Sequence, residues 1–428
     1  MTDDSLRRAC LFVSAMVVVG CSKQEVTVAP GTAGALLYVW AGDADHKEAD
    51  FLAVVDADSA SSEYGKVIAT VPVEGRDHWP HHTEYAVDGS TLWANGWSTG
   101  STFIFDLATP RAPTVRSSFT ARGGYAYPHS YARLPNGHVL ATFQTKEGGY
   151  TATGALVELD SAGTVVRSAS GIAPGVKADL NWTYSLLVLP DLDRVVTTNT
   201  RMGTTMEWMA MAMPETDPKH EHATPEANST HVMVYRLSDL KLLHTVELPA
   251  QDGGHNRWTA EPRRLANGEV YVNTFSCGLY HLSGVGSDAP KAQPVLSTSF
   301  TEPGYCSVPV TVGNYWVQPS ATDHTVVSWD LSDTATPRVA SQIVLDSAHA
   351  DPHWLALDPS GTRIVLTFDS RAWVMLIDLD PATGKLTVDE RFRDAGATNA
   401  GVSFDRAEWP HGANGRAQPH GAVFSAKR

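Results

Sequence analysis

The sequence predicts an all-β fold, a seven-bladed β-propeller with one inserted Met/His-rich loop. Three observations predict it. Short apolar strands recur along the chain, turns of Pro, Asn, Asp and Gly separate them, and no helical period persists. Similar units return about every 45 to 55 residues, the length of a four-stranded blade. With 428 residues, 43% of them hydrophobic, the chain is long enough to bury a large core. The balance of 32 Lys+Arg against 47 Asp+Glu leaves a net charge of −15. That excludes nucleic acid as an expected partner, because phosphate recognition needs clustered cations. An aromatic content of 9% argues against disorder.

The first residues read as an address. Arg7 and Arg8 precede an apolar run, residues 11–19, far short of the roughly 20 residues a mature spanning helix needs. The run ends Val18-Val19-Gly20-Cys21, which resembles the lipobox of bacterial lipoproteins. Residues 1–20 are therefore expected to be a signal peptide, Cys21 a lipidated first residue, 21–36 a tether and 37–428 the propeller. An ordinary secretory signal cleaved nearby is the alternative, and either one exports the chain. Ser22 after the cysteine favours the periplasmic face of the outer membrane, with contact to the membrane through the lipid anchor only. Of the 4 cysteines, Cys10 leaves with the signal and Cys21 carries lipid, so Cys277 and Cys306 remain. In an oxidising compartment they are free to pair; alternatively Cys306, at a blade entry, is a metal ligand. No Cys-x-x-Cys occurs, which excludes a thiol redox motif or zinc knuckle.

The blades follow in order. Residues 37–73 supply outer strands that close the ring. The next unit places residues 84–87 before an Asp88-Gly89 turn and a strand at 91–94. The same grammar returns at 131–134, Pro135-Asn136-Gly137 and 138–143, and again at 262–265, Ala266-Asn267-Gly268 and 269–275. The clearest unit comes late: strands at 353–357, 363–368, 373–378 and 385–392, with turns at 358–361 and 381–384. Blade entries fall at His81, His129, Trp182, Glu261, Cys306, His353 and His420. The step from Trp182 to Glu261 is long, so residues 201–228 are read as the insertion; 394–415 is a second long loop. The insertion holds Met202, Met206, Met209, Met211 and Met213, then His220 and His222. It reads first as a packing loop, since Met fills irregular gaps, and second as a soft copper-loading arm.

The histidines carry the chemistry. They recur after proline in Pro80-His81-His82, Pro128-His129, Pro352-His353, Pro410-His411 and Pro419-His420. Proline fixes its own φ and biases the preceding residue toward extended backbone, so the approach is stiff. Blade entries gather at the mouth of the axial channel, so imidazoles about fifty residues apart would converge there on a metal. Mostly imidazole with soft sulfur nearby leans to copper. Glu84, Glu261 and Glu408 are acids available to orient the rings. An extended strand sends successive side chains to opposite faces, so only one of His81 and His82 is expected to face inward. His138, His244, His281 and His324 read as outer-strand or loop residues. Trp182 and Trp354 read as core or channel wall.

With these residues in view, the chain resembles the selenium-binding protein/methanethiol oxidase family. The resemblance rests on residues 51–58 followed by 64–68, on His81-His82, on 104–106 with Pro110-Arg111-Ala112-Pro113, and on 129–137. Further along it rests on 230–235 followed by 243–246, Glu261-Pro262-Arg263, 353–367 and Pro419-His420-Gly421. It is weak at each residue but runs in order from about 37 to 428. It implies a seven-bladed propeller and a copper-dependent oxidase that converts methanethiol, dioxygen and water to formaldehyde, hydrogen sulfide and hydrogen peroxide. It further implies His81 or His82, His129, His353 and His420 as copper ligands and Glu261 as a catalytic acid near them. The implied partners are a small thiol, dioxygen and a copper donor. The Cys-x-x-Cys that follows the paired histidines in many relatives is replaced here by Thr83-Glu84-Tyr85-Ala86, which puts selenium attachment in doubt. A lipid anchor is unusual for the family. Two alternatives stand beside the oxidase: a non-catalytic propeller lipoprotein binding a metal or partner, and, more distantly, nitrous oxide reductase, whose cysteine-rich copper domain this chain lacks.

Overall fold

A computed structural model describes residues 34–148, 152–172, 181–202, 229–301, 304–346 and 351–426. The signal peptide, Cys21 and residues 203–228 of the insertion lie outside these residues. Among the described residues, two 3-10 turns aside, every regular element is a strand, and no helix is long and apolar enough to cross a membrane.

Seven antiparallel sheets form the propeller. Blade 1 begins at Pro80–Thr83, blade 2 at Tyr125–Arg133, blade 3 at Thr183–Leu189 and blade 4 at Thr259–Arg264. Blades 5 and 6 begin at Val310–Val312 and Pro352–Leu357. These first strands neighbour one another in sequence around the ring. Blade 7 is made by both ends of the described chain: Gly415–Phe424 is its inner strand, and Leu36–Asp43, Phe51–Asp56 and Val67–Pro72 are the outer ones. Leu37 pairs with Phe424 and Ala41 with Pro419. The expectation that residues 37–73 close the ring agrees with this pairing. Facing blades bury each other's Val, Leu, Ile and aromatic side chains, as where Val39, Val55 and Ala422 of blade 7 pack with Trp354, Val365 and Leu376 of blade 6. Burial of this kind contributes about 25 cal/mol per Å² of apolar surface.

Two local expectations are corrected. The last strand of blade 6 is Leu386–Val388 rather than 385–392. Asp389 turns the chain there, accepting from the Tyr64 hydroxyl at 2.6 Å and from the Arg391 N–H at 2.9 Å. In blade 1 the inner strand ends at Thr83 rather than running through 84–87. The Glu84 carboxylate bends back to the Trp93 N–H and to Arg133. The loop at 394–415 adds Val402–Ser403 to blade 6 and Asp405–Arg406 to the inner strand of blade 7.

Candidate metal centre

The inner strands are bent where they carry polar side chains. Their pairing slips between Pro80 and Thr83, Pro128 and Tyr131, Thr183 and Leu186, Thr259 and Pro262, and Pro352 and Trp354. Opposite Trp40 it slips again, at His420-Gly421. Such a bulge leaves ladder groups unpaired and re-aims side chains, and here a polar residue of the second strand fills most of the gaps. Asn95 accepts the His82 N–H at 2.6 Å and donates to the Pro128 carbonyl of blade 2 at 2.9 Å. Thr142 accepts from Ser130 and donates to Tyr184 of blade 3. Thr198 does the same between Ser185 and Ala260, and Asn273 between Glu261 and Ser307. Thr367 donates to the His420 carbonyl. Each bridge ties one blade to the next and satisfies buried backbone.

Those bulges gather five histidines. His81 and His82 come from blade 1, His129 from blade 2, His353 from blade 6 and His420 from blade 7, four consecutive blades. All five are buried. The His81 and His82 rings stack at 4.3 Å with 2° between planes, so both lie in the cluster. Strict alternation does not hold at this pair because the bulge breaks it. His82 lies 4.2 Å from His129, His81 4.3 Å from His420, and His353 4.5 Å from His420, ring centre to ring centre. Two overlapping groups result, His81 with His353 and His420, and His81 with His82 and His129. Within each group the ligand atoms lie within 4.8 Å of one another. Gly421 makes the approach possible, since a Cβ there would stand 2.6 Å from the His81 carbonyl oxygen.

Hydrogen bonds set the tautomers. His129 Nδ1 donates to the Tyr184 carbonyl at 2.9 Å, leaving Nε2 as a buried lone pair with no partner. His420 Nδ1 donates to the His81 carbonyl at 3.1 Å, and its Nε2 lies 3.6 Å from Asp369. His353 Nδ1 is 3.1 Å from the other Asp369 oxygen, while its Nε2 and the Nδ1 of His81 have no hydrogen-bond partner. Burial, reinforced by neighbouring imidazoles, pushes His81 and His82 well below the usual histidine value. Burial likewise takes His129 and His420 down to about 3. For Asp369 burial acts upward, but His353 and His420 prevail and hold the carboxyl below its ordinary range. Uncharged, converging imidazoles with unpartnered nitrogens are a donor set that fits copper, zinc or iron.

A cavity of about 740 Å³ reaches His81, His353 and His420, with Tyr184, Met202 and Phe275 on its wall. Met202 and Phe275 belong to a buried cluster with Trp97 and Tyr184, so the space beside the histidines is partly apolar.

The remaining predicted residues fall elsewhere. Glu261 is buried in blade 4, bonded to Ser185 at 2.6 Å and Arg263 at 2.8 Å, and it belongs to neither histidine group. His411 bonds Thr70 and packs on Phe51 in blade 7, also outside both groups. Glu408 is exposed. Glu84 pairs with Arg133, whereas Asp369 is the acid beside the rings. His138 and His281 pair with Glu158 and Glu269 on outer strands. Cys277 and Cys306 form a disulfide with Cα atoms 5.0 Å apart, which removes Cys306 as a ligand. Trp354 is core, packed between blades 6 and 7 with its Nε1 bonded to Ala422. Asp369 and Tyr184 are absent from the sequence reading. The recurring polar residue of each second strand, with Asp369 two residues beyond Thr367, is the signal that would have pointed to the first.

The fold and site define a class: a seven-bladed propeller with a histidine-lined axial mouth. No family model matches the chain. Over 181 residues it is 32% identical to a methanethiol oxidase of Hyphomicrobium, covering 37% of this chain and 41% of that one. Over 139 residues it is 32% identical to the methanethiol oxidase of Ruegeria pomeroyi, covering 30% and 31%. These matches span well under half of either relative. Among solved structures, a hypothetical selenium-binding protein of Sulfolobus tokodaii superposes with a TM-score of 0.71 at 16% identity, covering 92% of this chain and 94% of that one. A periplasmic gluconolactonase of Pseudomonas aeruginosa follows at 0.61 and 14%, covering 92% and 99%; at these identities only the fold is shared. The chain is thus similar over part of its length to methanethiol oxidases and shares its fold with a selenium-binding protein.

Proposed function

We propose that the protein is a copper-dependent oxidase of a small thiol, converting methanethiol, dioxygen and water to formaldehyde, hydrogen sulfide and hydrogen peroxide. The observation that carries this reading is the convergence of five buried imidazoles, several with unpartnered nitrogens, in a chain whose relatives are named methanethiol oxidases. His81, His82, His129, His353 and His420 would hold the ion. Copper, when bound, would supply a one-electron acceptor for the thiol and a donor for dioxygen. The chain's own groups do the rest. Asp369, beside His353 and His420, would orient both rings. Met202 and Phe275 give the methyl group an apolar wall and exclude water. Glu261, the acid implied by the family resemblance, is held by Arg263 and Ser185. Export, lipidation at Cys21 and delivery by a copper donor belong to the same proposal.

The test is metal content of the full chain after copper supplementation, followed by oxygen uptake with methanethiol. Copper near one equivalent together with thiol-dependent uptake supports the oxidase. Copper without turnover leaves a binding protein, and no copper overturns the metal centre.

A further inference from the structure

Beside the histidines lies a buried aromatic and polar group that the proposed reaction leaves unused. Tyr85 stacks on Trp354 with 4.7 Å between ring centres and 8° between planes. Trp354 in turn meets His82 edge-on at 4.8 Å, and Tyr85 itself lies 6.5 Å from His82. Three rings thus join a candidate ligand to a phenol. The Arg263 guanidinium sits 4.2 Å over the Tyr85 ring, a cation–π contact. Glu261 bonds Arg263 and Ser185 through Oε2, and its buried Oε1 has no hydrogen-bond partner. The buried Tyr85 hydroxyl faces this ion pair without a hydrogen bond of good geometry to either member. Burial and the Glu261 charge push that hydroxyl well above the usual tyrosine value, so it rests protonated. Unsatisfied buried polar atoms are uncommon, and two together call for an explanation.

We propose that Tyr85, stacked on Trp354 beside His82, is a redox-active phenol that stores one electron for the metal centre and exchanges its proton with Glu261. The inference rests on the copper oxidase reading above and deepens it. Converting methanethiol and water to formaldehyde and hydrogen sulfide releases two electrons and two protons. Reducing dioxygen to hydrogen peroxide takes up two of each. A single copper ion cycling between its +2 and +1 states carries one electron, so a second store is required. In the dioxygen half, Tyr85 gives up one electron and its O–H proton, by way of Glu261. Bound copper would supply the other electron, and solvent the second proton. In the thiol half, the Tyr85 phenoxyl would regain one electron and one proton, bound copper would supply the acceptor for the other electron, and the remaining proton would leave to solvent.

The experiment uses the full chain loaded with copper(I) and exposed to dioxygen without thiol, counting peroxide per bound copper. We expect about one peroxide per copper, falling to about half in Tyr85→Phe, because copper(I) alone yields superoxide that dismutates two to one. A ratio near half in the unaltered protein overturns the proposal, as does a ratio near one in a folded, copper-loaded Tyr85→Phe. Should that variant not fold, Glu261→Gln replaces it: the ratio falls if Glu261 accepts the proton, and an unchanged ratio overturns that transfer. Copper content, measured in every sample, reports separately on the metal reading. A chain without copper sinks that reading, and this inference with it.

Discussion

Two arcs of the ring use the same inner-strand position differently. Blades 6, 7, 1 and 2 fill it with His353, His420, His81-His82 and His129; blades 3, 4 and 5 fill it with Tyr184-Ser185, Glu261 and the disulfide-bonded Cys306. The backbone device is shared, since a bulge and a polar bridge occur on both sides, at Asn95 and Thr142 as at Thr198 and Asn273. Only the side chain delivered differs. One arc brings five buried imidazoles together in two overlapping groups. The other pairs Glu261 with Arg263 and joins Cys306 to Cys277, and it contributes to neither histidine group. A single repeated frame therefore carries a histidine cluster on one arc and an ion pair and a disulfide on the other.

That contrast can be broken experimentally. The largest effect is expected for His129→Ala, which should lower copper affinity by more than about 100-fold, beyond what loss of an outer-shell partner costs, while circular dichroism stays native. Unchanged occupancy would remove His129 from the site. In the opposite arc, replacing Cys277 and Cys306 by Ala should cost roughly 2–4 kcal/mol in chemical denaturation. Copper content of the folded protein should stay the same, and a loss of metal would show that the arcs are not separable. Asn95→Ala leaves the His82 N–H and the Pro128 carbonyl unpaired and should cost about 1–3 kcal/mol, with weaker metal binding. Thr198→Ala, the counterpart across the ring, should lower stability alone.

A further test is a pH dependence. His129 and His420 have values near 3 in the folded protein against about 6.5 unfolded. Between those limits the unfolded chain binds more protons, so stability of the metal-free protein falls as pH drops. Each histidine contributes up to about 1.4 kcal/mol per pH unit. Urea midpoints of the unaltered protein and His129→Gln should therefore converge below about pH 6.5. Parallel curves would contradict a buried, neutral His129.

Much of this was legible in the sequence. Turn chemistry at Pro135-Asn136-Gly137 and Asp358-Pro359-Ser360-Gly361 marks hairpins, because those residues fit only tight turns. The spacing of the hairpins then fixes the blades. Proline before histidine marked the strands that carry the clustered imidazoles. What the sequence could not convey was which face each histidine takes, since a bulge reverses alternation and depends on a partner in another strand, Asn95 for His82. Asp369 escaped for a similar reason: it meets His353 only after two strands of one blade fold together. His411 shows the converse, a proline–histidine pair whose neighbour is Thr70 rather than the axis.

The seventh blade has a consequence for biogenesis. Its inner strand, Gly415–Phe424, carries His420 and is also the strand that Leu36–Asp43 clasps to seal the circle. A polypeptide emerging amino end first would thus acquire its final imidazole and its mechanical closure in the same event. Until then the group of His81, His353 and His420 would lack its last member, while that of His81, His82 and His129 would already be made.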